Sequence, residues 1–197
     1  MSAVVFGASG GIGQAIVRRL LECSWYNPVF AVSRSGRVPE GAINIQADAL
    51  DESALEAVAK EISTKTDRIK LCVVAVGLLH EGDGLTPEKS YRHQSRDAFE
   101  RVFAANTIGP ALIAKHMLGR MPQSGRWVFA ALSARVGSIG DNGLGGWHAY
   151  RASKAALNML IRNYSIECQR RNSDAICVGL HPGTVDTGLS LPFQSNV

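Results

Sequence analysis

The chain has 197 residues, 46% of them hydrophobic and 19% charged, enough to bury one substantial core, so a single domain over 1–197 is expected. The net charge of +4 comes from scattered arginines (Arg18, Arg19, Arg34, Arg37, Arg92, Arg96, Arg170, Arg171) with no long basic run, which gives a nucleic-acid partner no footprint. Cys23, Cys72, Cys168 and Cys177 form no C-x-x-C pair, and no apolar run is long enough for a bilayer or a signal peptide, so a cytoplasmic protein with free thiols and no membrane partner is expected.

In chain order, the runs A-V-V-F (3–6), V-F-A-V (29–32), I-N-I-Q-A (43–47), L-C-V-V-A-V (71–76), W-V-F-A-A-L (127–132) and A-I-C-V-G-L (175–180) read as strands buried on both faces. Between them Ile12, Ala15, Ile16 and Leu20, then Leu55, Val58, Ala59 and Ile62, recur at helical spacing, and longer helical patterns cover 97–118 and 149–169. Six strands alternating with helices predict a doubly wound, Rossmann-type α/β fold with a parallel sheet covered on both faces. The stretch E-G-D-G-L-T-P-E-K-S (81–90) reads as a loop after the fourth strand, at the end of the sheet where ligands bind in such folds.

The first strand runs into G-A-S-G-G-I-G (7–13). Gly7, Gly11 and Gly13 permit positive φ and close approach to a pyrophosphate, Ser9 and Ile12 belong to the same cofactor turn, and the helix that follows it offers its free N–H groups to phosphate. A glycine-rich turn with no ligand has the same composition; its place after the first strand of an α/β pattern favours the dinucleotide. No acidic residue follows the second strand, where an NAD site would carry one. The chain reads S-R-S-G-R (33–37) instead, and Arg34 suits a 2′-phosphate, so NADP (NADPH) is expected in preference to NAD.

In H-A-Y-R-A-S-K-A-A-L (148–157), Tyr150 and Lys154 are four apart and share one helix face. A phenol with a pKa of about 10 comes into the range useful for proton transfer beside an ammonium and an oxidised nicotinamide, although an exposed helix pair would look the same in isolation. The five histidines show no metal-ligand spacing, and no metal is expected.

Taken together, G-A-S-G-G-I-G (7–13), N-T-I-G-P (106–110), Y-R-A-S-K (150–154) and H-P-G-T-V-D-T (181–187) resemble the short-chain dehydrogenase/reductase family over essentially the whole chain. The stretch 136–158 looks like its C-factor and carbonyl-reductase-like branch. The resemblance implies Tyr150 as proton donor, Lys154 as the group that binds the nicotinamide ribose and lowers the tyrosine pKa, and Asn106 as holder of a water in the proton relay. It also implies Gly7, Gly11 and Gly13 as cofactor glycines, Asp48 as an adenine contact, and Pro182, Gly183, Val185 and Thr187 along the nicotinamide and its phosphate. By the same likeness 97–118 and 149–169 are helices that pair subunits, so a homodimer or homotetramer acting on a small carbonyl or alcohol is expected.

Three departures from the family pattern stand out. Phe6 replaces the threonine that usually opens the glycine motif, and V-A-V-G (74–77) replaces N-N-A-G, so backbone contacts must hold the loop at Gly77. The ending L-S-L-P-F-Q-S-N-V (189–197) stops where the family usually continues into a covering helix and a seventh strand, which is expected to be missing. The catalytic hydroxyl is ambiguous as well: aligned on Gly137, the acting serine of S-S-x-x-G falls on Ala134, leaving Ser133, or Ser138 from the loop, as candidates. Two functions follow, an NADP-dependent oxidoreductase on a carbonyl or alcohol and a dinucleotide-binding signalling protein of C-factor type.

Overall fold

A computed structural model describes residues 1–183 and 185–188. The stretch 189–197, where the short ending was read, lies outside the described residues.

Six parallel strands form one sheet: β1 (Ser2–Phe6), β2 (Val29–Ser33), β3 (Ile43–Gln46), β4 (Ile69–Val74), β5 (Trp127–Leu132) and β6 (Ala175–Leu180). Their order is β3-β2-β1-β4-β5-β6, with β6 at the edge among the described residues. The order reverses between β1 and β4, the switch point where a doubly wound sheet opens a crevice beyond its carboxyl ends. All six expected strands are present; β4 starts and ends two residues before the apolar run 71–76, because Ile69 already pairs with Ser2 of β1, the register skips Lys70, and the chain leaves the ladder after Val74.

Helices cover both faces. On one side α1 (Gly11–Glu22) puts Val17 and Leu20 against Ala3, Val5, Val29, Ala31 and Val73. On the other, α2 (Glu52–Lys65), α4 (Gly109–Met117) and α5 (His148–Gln169) bring Leu55, Ile62, Ile113, Met117, Leu157 and Ile161 onto Val4, Phe6, Phe30, Val74 and Phe129. Period-2 alternation along each strand sends successive side chains into these two layers, which is why the strands read as continuous apolar runs. Phe6, the residue at the family's threonine position, is 2% exposed in the larger layer.

The single helix expected over 97–118 is two. α3 (Arg96–Phe103) widens into a π turn at Ala104–Ile108 before α4 begins. Pro110 has no N–H for the carbonyl four residues earlier, that of Asn106, and the widened turn accommodates the loss. The turn places Asn106, completely buried, against α5. No helix among the described residues is long and apolar enough to cross a membrane.

Candidate active site

A cavity of about 440 Å³ opens beyond the carboxyl ends of β1, β4, β5 and β6. Its floor is the glycine turn. A Cβ on Gly7 (φ +77°) would lie 2.7 Å from the backbone of Ala75, and one on Gly13 would lie 2.2 Å from the Gly7 carbonyl, so β1, β4 and α1 meet at a distance only glycine allows. Gln14 Nε2 donates to the Ser9 carbonyl at 2.8 Å and closes the turn. α1 follows Gly10, its N-cap residue, with no side-chain cap and no acidic residue in its first turn, and Gly10 to Gly13 line the cavity. Its first N–H groups and the positive end of its dipole therefore face the space where a pyrophosphate would lie.

The opposite wall is α5 and the end of β5. Tyr150 and Lys154, 8% and 3% exposed, line the cavity one turn apart, with Lys154 Nζ 5.7 Å from the centre of the phenol ring. Nζ donates to the Leu132 carbonyl at 2.8 Å, which fixes the ammonium at the strand end. Burial pushes the Tyr150 phenol up to about 12 and the Lys154 ammonium down to about 8. Loss of solvent is what raises the phenol.

Asn106 joins three elements. Its Oδ1 accepts from Leu78 N at 2.7 Å, while Nδ2 donates to the Leu78 carbonyl at 2.8 Å and to Ser153 Oγ at 3.1 Å. The loop at Gly77 is therefore held by an asparagine from the helical layer as well as by the Ala75 N–H on the Phe6 carbonyl. A Cβ on Gly77 would come within 3.4 Å of Asn106 Oδ1 and 3.7 Å of Lys154 Nζ, so the missing side chain keeps that corner open.

The two candidate serines part here. Ser133 lines the cavity, but its hydroxyl donates to Asn158 Oδ1 at 2.6 Å; Ser138 is exposed, its Oγ accepting from Asp141 N at 3.3 Å. Ala134 packs in the cluster that contains Tyr150, so a methyl group stands where the aligned serine would be.

Of the other expected residues, Ile12, Pro182, Gly183, Val185 and Thr187 line the cavity, and Thr187 Cγ2 closes over Gly11. Ser9, Arg34 and Asp48 do not line it. Arg34 is exposed just past β2, its carbonyl accepting from Gln46 Nε2 at 3.0 Å, and Asp48 Oδ1 accepts from Leu50 N at 2.9 Å in an ordinary loop turn. Beside Arg34, the Ser33 hydroxyl is 2% exposed and has no hydrogen-bond partner. This orphaned hydroxyl, the side-chain-free cradle and the open helix N-terminus fit a dinucleotide.

Three site residues escaped the sequence reading. Trp147, in left-handed conformation (φ 50°), packs edge-on to Tyr150 with ring centres 6.1 Å apart and lines the cavity with Leu79, Ala134 and Val136. Glu88, from the loop 81–90, is only 5% exposed and reaches the start of α5. Asn158 holds Ser133. The legible signal was at 145–148: a helix entered through G-G-W-H lacks a capping side chain of its own, so the cap had to come from elsewhere.

A family model described as short chain dehydrogenase matches residues 1–196. C-signal of Myxococcus xanthus is 39% identical over 92 residues, 47% of this chain and 54% of that protein, so the match spans about half of the relative's length. Benzil reductase ((S)-benzoin forming) of Bacillus subtilis is 25% identical over 195 residues, 98% of this chain and 78% of that one. Among solved structures, the NADPH-bound carbonyl reductase from chicken fatty liver superposes with a TM-score of 0.80 at 25% identity, covering 95% of this chain and 77% of the other.

Proposed function

The chain belongs to the short-chain dehydrogenase family, and from that premise we propose that it is an NADPH-dependent reductase of apolar, uncharged carbonyl compounds with Tyr150 as proton donor. One observation carries the reading: a buried phenol and a buried ammonium share a cavity with the open N-terminus of α1. NADPH, when bound, supplies the hydride. Gly10 to Gly13 would hold its pyrophosphate, Lys154 a ribose, and Arg34 with Ser33 the 2′-phosphate.

The phenol, held protonated by burial up to about 12, keeps its proton for the substrate oxygen at neutral pH. As the proton leaves, the charge developing on the phenol oxygen lies in the field of the Lys154 ammonium, and the dry wall makes that field strong. Asn106 fixes α5 against the β4 loop so that both groups stay aimed at one point. Leu79, Ala134, Val136 and Trp147 give that point an apolar surface, and Arg135 on the same wall is already paired with Asp141 at 2.6 Å, which favours an uncharged substrate. Ser133 is the serine of the two that lines the cavity, and to serve the oxyanion it must release Asn158.

The test is reduction of benzil followed by NADPH absorbance. Wild type turns over, Tyr150→Phe does not, and both bind NADPH; equal inactivity on a broad carbonyl and alcohol panel despite NADPH binding would sink the reading. The similarity to C-signal favours a second reading in that case, a dinucleotide-binding signalling protein that needs the cofactor but not the phenol. We also infer a cytoplasmic homodimer or homotetramer, supported by exposed Ile108, Met159 and Ile166 along the π turn and α5; sedimentation would measure it.

A further inference from the structure

We infer that Glu88 is a positioning residue for Tyr150, acting by capping the helix on which the tyrosine stands. The inference rests on the proton-donor reading just given and adds a residue to it. α5 begins at His148 with no side-chain cap from its own N-cap residue and no acidic residue in its first turn. An N-terminus left so inside the protein costs stability, because its N–H groups have lost water and gained nothing. The compensating group comes from a loop 61 residues earlier: both carboxylate oxygens of Glu88 lie 3.3 Å from Ala149 N, in the first turn of α5 and one residue before Tyr150. The Glu88 carbonyl holds the preceding residue as well, accepting from Trp147 N at 2.6 Å.

The chain is shaped to admit this contact. Gly145 and Gly146 both have positive φ (66° and 67°), and Trp147 follows at 50°, so three successive residues turn in the left-handed sense to bring the helix start under Glu88. A Cβ on Gly146 would lie 3.3 Å from the Glu88 carbonyl. Both ends of Glu88 thus meet the segment that carries Trp147 and Tyr150: the carbonyl sets the cavity wall, the carboxylate sets the first turn. A carboxylate at a helix N-terminus also meets the positive end of the dipole, which makes its burial tolerable. Leu85, Leu79, Ala98 and Val102 pack around Ala149 and Tyr150, so the loop is anchored and can transmit position. The Glu88 carboxylate bonds the backbone at Ala149 and not the phenol, so the effect passes through the helix backbone.

The experiment uses the full chain carrying tyrosine labelled with carbon-13 at the ring carbon bonded to oxygen. The chain has four tyrosines, and Tyr150→Phe assigns the resonance. In Glu88→Ala the Tyr150 resonance is expected to shift or broaden, and in Glu88→Gln, which keeps an oxygen acceptor for Ala149 N, to stay near its wild-type position. In benzil reduction Glu88→Ala should lose kcat by about tenfold or more, the scale of a small misplacement of a reacting group, while NADPH affinity changes by less than about twofold, and Glu88→Gln should recover most of the loss. If Glu88→Ala does not fold, Gly146→Ala presses on the same carbonyl and carries the same expectations. An unmoved Tyr150 resonance overturns the inference, as does a loss in which kcat and NADPH affinity fall together. Failure of the reductase reading is separate: wild type then leaves benzil unreduced, while the resonance still reports whether Glu88 places Tyr150.

Discussion

Two helices begin at the same cavity and treat their N-termini in opposite ways. α1 starts among Gly10, Gly11 and Gly13 with no cap, so its free N–H groups are left to whatever enters; α5 starts after Gly145 and Gly146, yet a buried carboxylate closes its first turn. Glycine does different work at the two ends. At α1 it removes side chains so that backbone can approach backbone and ligand; at α5 it supplies left-handed φ that swings the helix start under Glu88. An open N-terminus is a binding surface and a closed one is a rigid mount, and a site that holds one reactant while aiming a proton at another needs one of each.

The largest way to break this comparison is to fill the glycine cradle. Gly13→Val would place side-chain atoms where a Cβ alone lies 2.2 Å from the Gly7 carbonyl, and since that contact is backbone it cannot swing aside. A loss above about 4 kcal/mol in urea unfolding, or no folded protein, is expected. Gly146→Ala meets a carbonyl at 3.3 Å instead and should be milder despite its φ. Equal losses at the two sites would remove the distinction between cradle and swivel.

Next in size is the proton donor. Tyr150→Phe keeps the ring that packs against Trp147 and removes only the hydroxyl, so kcat/KM for benzil should fall by about a thousandfold while NADPH binding, measured by its fluorescence, is retained. A comparable loss of NADPH affinity would mean that the closed end also serves the cofactor.

The lysine on the closed helix carries a stability signature. Burial lowers its folded pKa to about 8 from 10.5, so between those values the unfolded chain holds a proton that the folded chain has released. Stability therefore rises with pH across that window: the cost of burying the ammonium is fully present below pH 8 and gone above pH 10.5. Lys154→Met has no such proton. Its advantage over wild type in urea unfolding should shrink by about 3 kcal/mol from pH 7.5 to pH 10.5, a range for which roughly neutral-to-alkaline buffers suffice. A constant difference would show that the ammonium is hydrated in the folded chain.

How much of this could be read beforehand follows from how far each signal reaches along the chain. Strands buried on both faces announce themselves as β-branched runs, and Tyr150 with Lys154, or Gly7 with Gly13, lie within one turn or one loop of each other. The break in the helix at 104–108 had a local cue in Pro110, but the widening depends on Asn106 having partners at Leu78 and Ser153, 28 and 47 residues away. Glu88 lies in the stretch read only as a loop, 81–90, and nothing near it in the chain points to the N–H it satisfies, 61 residues on. Ser133 was ambiguous because a strand end can present either of two faces, and only Asn158 on α5 decides where its proton goes.

That proton makes the smallest prediction. Asn158 turns its amide nitrogen toward the Gly137 carbonyl, 3.5 Å away, and its oxygen toward Ser133, so the serine hydroxyl is the donor of the 2.6 Å bond and has no second proton for a substrate oxyanion. Ser133→Ala should then cost about 1 kcal/mol of stability and less than about tenfold in kcat, far below Tyr150→Phe. Asn158→Ala frees the hydroxyl to rotate into the cavity and should leave kcat equal to or above that of Ser133→Ala. If Ser133→Ala instead matches the thousandfold loss at Tyr150, the hydroxyl leaves Asn158 during turnover, and the closed end of the cavity is less rigid than the capped helix beneath it.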